Sequence, residues 1–224
     1  MLGGGAVTIP DSIKKLFKPV GGAQRTSEAS APGALRRSNG LREFCRELKG
    51  QEALRVLDLG AASQANISFF TELGHKVYAE DIFPVLTTKS YRIRNDNGDW
   101  CFDADRFLAE NVTYQMLLFD AVLCWDLFDL LDETAVRPVA ARLHRVVKPG
   151  GILLSFFHTA EPGASVPIYR YRIQGEDTLE LLPRGERVLR RPLNNRNIEV
   201  LFKEFHSLKF FLARDNLREV LIVR

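Results

Sequence analysis

Residues 56–66, Val-Leu-Asp-Leu-Gly-Ala-Ala-Ser-Gln-Ala-Asn, combine a short apolar run, a glycine and a polar segment. The run predicts a buried strand, Gly60 a tight turn, and the residues from Gln64 onward a helix. Ligands of open α/β sheets lie beyond the carboxyl ends of the strands, where Asp58 and Gly60 would stand. The first turn of the helix offers free N–H groups that attract a carboxylate or a phosphate, and Ser63 is placed to cap it.

A second acidic residue, Asp81, follows the next predicted strand, about 20 residues after Gly60. A carboxylate at that distance can accept hydrogen bonds from the ribose hydroxyls of a nucleotide. Its neighbour Glu80 is the fallback candidate. Successive residues of a strand point to opposite faces, so only one of the two should face a ligand.

Two later strands also end in polar or aromatic residues at the same predicted edge. Trp125 and Asp126 follow one of them, and His158 follows the next. A histidine titrates near neutral pH, so His158 is a candidate general base, with a polar loop residue as the alternative. Trp125 is either a core residue or a wall of a cofactor pocket, and Asp126 is either a site residue or a helix cap.

The elements that position these residues alternate along the chain. Apolar runs predict strands at 54–59, 76–81, 119–125 and 152–157, and helical periodicity predicts helices at 34–48, 64–73 and 133–147. Such alternation predicts an α/β fold whose parallel strands are joined by helical crossovers. Two apolar runs at 208–214 and 217–223 flank Asp215 and Asn216, a pattern typical of an antiparallel hairpin.

Several of these segments resemble class I S-adenosylmethionine (SAM)-dependent methyltransferases. The resemblance rests on Asp58-Leu-Gly60 after a strand, Ala79-Glu-Asp-Ile82, Phe119-Asp-Ala-Val122 and the Lys148-Pro-Gly-Gly turn. It covers residues 54–157 and, by pattern, 198–224, where the terminal hairpin resembles the reversed seventh strand of the family. It implies a three-layer Rossmann-like sandwich with a mostly parallel, seven-stranded sheet and an antiparallel C-terminal hairpin.

The resemblance implies SAM as the cofactor. Asp58 and Gly60 would lie at its methionine end, Asp81 at the ribose, and Asp103 at the adenine amino group, because Phe102-Asp-Ala104 resembles the end of the family's third strand. The cofactor-binding residues that we predict are Asp58, Gly60, Ala61, Ser63, Asn66, Asp81, Ile82, Asp103 and Trp125. Nothing in the sequence has the spacing of a metal site.

The glycine loop departs from the pattern of the family, which usually carries two further glycines where this chain has Ala62 and Gln64. Either the loop takes another path, with Ser63, Gln64 or Asn66 contacting the ligand, or SAM binding is lost. Three hypotheses follow: a methyltransferase acting on a small-molecule acceptor, a non-catalytic binding or scaffold relative, and an NAD-type oxidoreductase. Gly60, Ala62 and Ala65 allow the last as a degraded G-x-G-x-x-A, whereas Asp58 and Lys148-Pro-Gly-Gly favour the methyltransferase pattern.

Composition sets the remaining expectations for the 224 residues. We expect a flexible leader at 1–33, with a short amphipathic segment at 10–18, and a methyltransferase-like domain at 34–224. Within that domain, we expect residues 168–191 to be a substrate-side insertion. Neither a signal peptide nor a membrane span is evident, which predicts a cytoplasmic protein. The insertion mixes tyrosines, arginines and acids, so an edge hairpin over the site is favoured over nucleic-acid binding.

Overall fold

A computed structural model describes residues 33–87, 91–212 and 215–224. The leader and its amphipathic segment at 10–18 therefore lie outside the described residues. In chain order the described elements are β1 (Ala34–Arg37), α1 (Asn39–Leu48), β2 (Arg55–Asp58), α2 (Gln64–Glu72), β3 (Lys76–Ala79), α3 (Phe83–Thr87), β4 (Arg92–Arg94), β5 (Trp100–Phe102), α4 (Ala104–Glu110), β6 (Phe119–Trp125), α5 (Leu127–Leu130), α6 (Glu133–Val146), β7 (Val147–His158), β8 (Ser165–Gly175), β9 (Thr178–Val188), α7 (Asn195–Leu201), β10 (Ser207–Phe211) and β11 (Leu217–Val223).

A six-stranded sheet in the order β10-β11-β7-β6-β2-β3 forms the centre of the molecule. The four strands β7, β6, β2 and β3 are parallel, and β11 and then β10 run antiparallel beside β7. The predicted α/β class and the reversed C-terminal hairpin are thus confirmed. The parallel strands end together at one edge, which carries the residues that follow β2, β3, β6 and β7.

Both faces of the central sheet are buried, as the residues of β6 illustrate. Val122 and Cys124 belong to the apolar core shared with α4, α6 and α7. Ala121, Leu123 and Trp125 belong to a second core on the other face, shared with α1, α2 and the β8–β9 hairpin. This two-sided burial explains why β6 is a continuous apolar run rather than an alternating one.

The predicted count of seven strands is wrong for the described residues, because the sheet ends at β3. The segment expected to form the missing strand, Trp100–Phe102, pairs instead with β4 in a separate two-stranded antiparallel sheet. Trp100 is 59% exposed there, so this short run does not have the two-sided burial of a central parallel strand.

The predicted helix at 34–48 is shorter in the structure, where α1 starts at Asn39. Ser38 caps it by accepting a hydrogen bond from the backbone N–H of Leu41. The preceding residues form β1, which joins β9 and β8 in a three-stranded antiparallel sheet. Arg36 in β1 donates to the buried Glu219 of β11 and so ties this second sheet to the central one. None of the described helices has the length and apolarity that crossing a membrane requires.

Candidate functional site

Asp58 ends β2 at the carboxyl edge of the sheet, and its side chain is buried. One carboxylate oxygen accepts hydrogen bonds from the Gly60 backbone N–H (3.0 Å) and the Trp125 indole N–H (2.6 Å). The other accepts from the Asn66 amide (2.9 Å). Burial raises the pKa of the Asp58 carboxyl, and these three donors oppose the rise. The carboxylate is therefore engaged by the protein's own donors and braces the loop.

The Trp125 side chain lies directly against Gly60. A Cβ atom added at Gly60 would stand 2.5 Å from Trp125 Cδ1 and 2.6 Å from Nε1, closer than any side chain tolerates. Trp125 itself adopts φ +50°, an uncommon conformation for a bulky residue, at a register irregularity between β6 and β7. Glycine is required at position 60 because an indole packs against the loop.

The β8–β9 hairpin covers this tryptophan from the other side. The Tyr171 ring of β8 stacks on the Trp125 indole at a centroid distance of 4.9 Å and an interplanar angle of 2°. Asn66 fixes the strand by donating to the Tyr171 carbonyl (3.1 Å) and accepting from the Ile173 N–H (2.8 Å). The Arg170 guanidinium also donates to the Ala62 carbonyl (2.9 Å). The hairpin is thus docked on the loop and on the start of α2.

Asp81 and Glu80 separate to different sides of β3, as strand alternation predicts. A Glu80 carboxylate oxygen accepts from the Val112 N–H at 2.8 Å. Asp81 accepts from the Phe83 N–H at 3.2 Å and lies 3.8 Å from a guanidinium nitrogen of Arg184. The Arg184 guanidinium also lies 5.8 Å from the centroid of the Phe83 ring. Asp81 therefore faces the β8–β9 hairpin.

A β-bulge explains why Arg184 reaches Asp81. In the pairing of β8 with β9, Ile168 stands opposite Gly185 and Tyr169 opposite Pro183, so Arg184 has no partner in the ladder. An extra residue of this kind re-aims a side chain and is frequent beside functional sites. The bulge directs Arg184 to the position that the resemblance assigns to the ribose.

The space between Gly60 and Asp81 is almost filled. The cavity lined by Gly60, Phe83, Trp125, Tyr171 and Arg184 has a volume of about 30 Å³. That is the volume of roughly one water molecule, whereas sites for small molecules measure about 300–1,000 Å³. The predicted groups share one edge of the sheet, but SAM does not fit between them in this arrangement.

The other predicted cofactor residues take varied positions. Ala61 lines the small cavity and Ile82 is buried in the core. Ser63 stands at the N-cap position of α2 without a side-chain capping bond. Asp103 caps α4 by accepting from the Arg106 N–H (3.0 Å), after a strand outside the central sheet. Their contacts with a cofactor stay predictions.

His158 forms a buried pair with Asp129, a residue that the sequence analysis missed. One oxygen of Asp129 accepts from the His158 backbone N–H (2.6 Å) and lies 2.9 Å from Nδ1 of the ring. Among the described residues, neither His158 Nε2 nor the second Asp129 oxygen has a hydrogen-bond partner. With the proton on Nδ1, the Nε2 lone pair is free to accept one.

Asp126 and Tyr171 extend this buried cluster. Burial is the main reason that the pKa of Asp126 rises to about 7, and nearby Asp129 adds to the rise. Burial followed by the Asp126 charge raises the pKa of the Tyr171 hydroxyl well above its ordinary value. Asp126 and Asp129 stand one and four residues after β6, and two carboxylates at that spacing were the available signal. The described residues contain no group of three or more His, Cys, Asp or Glu placed to hold a metal ion.

One model of a known protein family matches part of the chain. A family model described as "Methyltransferase domain" matches residues 57–155. No curated protein matches the sequence.

Three solved structures illustrate the likeness in fold. The glycopeptide N-methyltransferase MtfA, complexed with sinefungin, is 18% identical, with 89% of each chain covered and a TM-score of 0.48. PH0226 protein from Pyrococcus horikoshii OT3 is 12% identical over 82% of this chain and 88% of that one, with a TM-score of 0.49. A Burkholderia thailandensis 1,6-didemethyltoxoflavin-N1-methyltransferase was solved with 1,6-didemethyltoxoflavin and S-adenosylhomocysteine. It is 15% identical over 83% of this chain and 77% of that one, with a TM-score of 0.43.

The class of the domain follows from two observations that agree. The family match spans β2 through most of β7, which includes the parallel strands β2, β3, β6 and β7. The strand that follows the match in the sheet, β11, runs antiparallel beside β7, as the resemblance implies. Residues 57–155 therefore match the model of a methyltransferase domain and lie within a Rossmann-like α/β fold.

Proposed function

We propose that this chain binds SAM at the carboxyl edge of β2 and β3 and transfers its methyl group to a small-molecule acceptor. SAM is the cofactor that the methyltransferase-domain match supports, and when bound it supplies the methyl group. The single observation that carries the proposal is the placement of Gly60 and of Arg184, the ion-pair partner of Asp81, around one cavity at the carboxyl edge of the sheet.

Binding requires the β8–β9 hairpin to move, because Trp125, Tyr171 and Arg184 occupy the space that a nucleoside needs. The contacts of Arg184 are the weaker ones, since its side chain is 37% exposed and its ion pair with Asp81 is long. The stacked and buried Tyr171 is held more firmly. We therefore expect Arg184 to be displaced more readily than Tyr171.

The His158–Asp129 pair supplies a proton acceptor at the same edge of the sheet. Asp129 holds the ring through Nδ1, which leaves Nε2 as the basic nitrogen. An acceptor hydroxyl or amine that reaches Nε2 would lose its proton there and become the stronger nucleophile. His158 is buried, so this contact also depends on opening of the site.

Isothermal titration calorimetry with SAM tests the proposal directly. We expect the Asp81→Asn variant to bind SAM about tenfold to a hundredfold more weakly than the parent, which is the typical cost of losing a hydrogen bond to a charged group. The matched control is Asp96→Asn, which removes an exposed carboxylate in the turn between β4 and β5. Equal affinity of the parent and Asp81→Asn would refute the ribose contact.

A non-catalytic methyltransferase-like protein is the second candidate, and the filled cavity favours it. Ala62 and Gln64, where the family usually has glycines, point the same way. Absence of SAM binding by both the parent and the Arg184→Ala variant would support this candidate. NAD titrated in parallel tests the oxidoreductase alternative.

A further inference from the structure

A second and much larger cavity opens beside the buried pair. It is a groove of about 1,100 Å³ between the N-terminal half of α6, the end of β9, α7 and β5. Its volume is about the upper limit of a site for a drug-sized molecule. Asp129 forms part of its wall, so the groove reaches the residue that holds His158.

Positive charge dominates the lining of this groove. The arginines that line it are Arg137, Arg187, Arg190, Arg191 and Arg196. Arg191 pairs with Glu133, and Arg187 donates to a backbone carbonyl. The side chains of the other three make no ion pair or hydrogen bond with any residue that the structure describes. Guanidinium groups bind phosphoryl and carboxylate oxygens in a bidentate manner, so three of them in one groove indicate an anionic ligand.

Exposed apolar side chains line the same groove. Trp100, Val188 and Val200 are 59%, 53% and 50% exposed, respectively, which is unusual for large apolar residues. An indole surface beside arginines suits a ligand that has an aromatic or apolar body as well as an anionic group. The acids Asp129, Asp132 and Glu133 reduce the net charge of the lining to +2. So small a net charge argues against a nucleic-acid backbone, which is bound by continuous positive surfaces.

We propose that this groove binds the methyl acceptor and that the acceptor is a small amphipathic anion. Its apolar body lies against Trp100, Val188 and Val200, and its phosphoryl or similar multiply charged group lies among Arg137, Arg190 and Arg196. The unpartnered Asp129 oxygen is buried in the wall of the groove, and once that wall opens it accepts a hydrogen bond from the ligand's hydroxyl or amine. The assignment of the ligand as acceptor rests on the proposed methyltransferase function, whereas the binding of the anion does not.

The test is calorimetric titration with 1-naphthyl phosphate, which joins an aromatic body to a phosphate dianion. Arg137 and Arg145 both lie exposed on α6, Arg137 in the groove and Arg145 beyond it. We expect Arg137→Gln to weaken binding of 1-naphthyl phosphate about fivefold or more, and Arg145→Gln to leave it unchanged. Inorganic phosphate should bind at least about tenfold more weakly, because it lacks the apolar body.

Three outcomes would overturn the proposal. The first is no binding of 1-naphthyl phosphate, and the second is an equal loss of affinity for it in the Arg137→Gln and Arg145→Gln variants. The third is tighter binding of a single-stranded dodecanucleotide than of 1-naphthyl phosphate. A parallel SAM titration separates the two proposals. Anion binding without SAM binding would refute the methyltransferase function alone, and SAM binding without anion binding would refute the groove assignment alone.

Discussion

Replacing Arg184 by alanine should tighten SAM binding, because the guanidinium competes with the cofactor for Asp81. A nucleoside that enters the cavity must break the Arg184–Asp81 ion pair at 3.8 Å and the contact of Arg184 with the Phe83 ring. A partly exposed ion pair contributes about 0.2–1 kcal/mol, and an exposed cation–π contact about 0.5–1 kcal/mol. The Arg184→Ala variant is free of this cost of about 0.7–2 kcal/mol. We therefore expect its Kd for SAM to fall about threefold to thirtyfold.

The assay is calorimetric titration of the parent and the variant with SAM at equal ionic strength. The matched control is Arg172→Ala, which removes the 3.1 Å ion pair with Glu180 from the same hairpin at a similar exposure of 40%, away from the cavity. The control should bind SAM like the parent. Equal affinity of Arg184→Ala and the parent would refute the competition, and an equal gain in Arg172→Ala would show that any loosening of the hairpin suffices.

Three further predictions concern stability. Because burial raises the pKa of Asp126 to about 7, the folded protein keeps a proton that the unfolded chain releases near pH 4. The free energy of unfolding should therefore fall as pH rises from about 4 to 7. Urea titrations at about pH 5 and 8 should show this fall in the parent and not in the Asp126→Asn variant. An equal fall in the two proteins would contradict the prediction. Gly60→Ala should destabilise the protein by about 1–3 kcal/mol, because the added methyl group meets the Trp125 indole. The control Gly175→Ala, which adds its methyl group in open space, should leave the stability unchanged. Arg36→Met should lower the free energy of unfolding by about 3–5 kcal/mol, because it leaves the buried Glu219 without its cationic partner. The exposed Arg37→Met should lower it by at most about 1 kcal/mol, and thermal denaturation of the two variants tests the difference.

Much of the fold could be predicted because the central strands are buried on both faces. The sequences of β2, of β6 and of residues 152–157 in β7 are apolar runs bounded by polar or glycine residues, and these strands lie where the runs predict them. The edge strand β3 also lies at its predicted place, although none of its residues is buried. The count of seven strands came from the resemblance, which places the end of a third strand at Phe102, whereas Trp100–Phe102 pairs with β4 outside the central sheet. The division of residues 34–48 into β1 and α1 depends on the distant Glu219, which local periodicity cannot reveal.

The position of the candidate site could be predicted from the sequence, but the side chains that fill its cavity could not. Asp58, Gly60 and Asp81 stand at one edge because the parallel topology places them there. That the cavity is filled follows from the register and the bulge of the β8–β9 hairpin, which aim Tyr171 and Arg184 at it. Tyr171 contacts Trp125, 46 positions earlier in the chain, and Arg184 contacts Asp81, 103 positions earlier, so no local pattern encodes these contacts.

A crystal structure of the protein grown with S-adenosylhomocysteine tests the central claim most directly, namely that the closed cavity is the cofactor site. It should show the ribose hydroxyls on the Asp81 carboxylate, with Arg184 turned away from Phe83 and the space beside Gly60 enlarged. A nucleoside bound elsewhere on the molecule, while Arg184 still pairs with Asp81 and Tyr171 still covers Trp125, would contradict it.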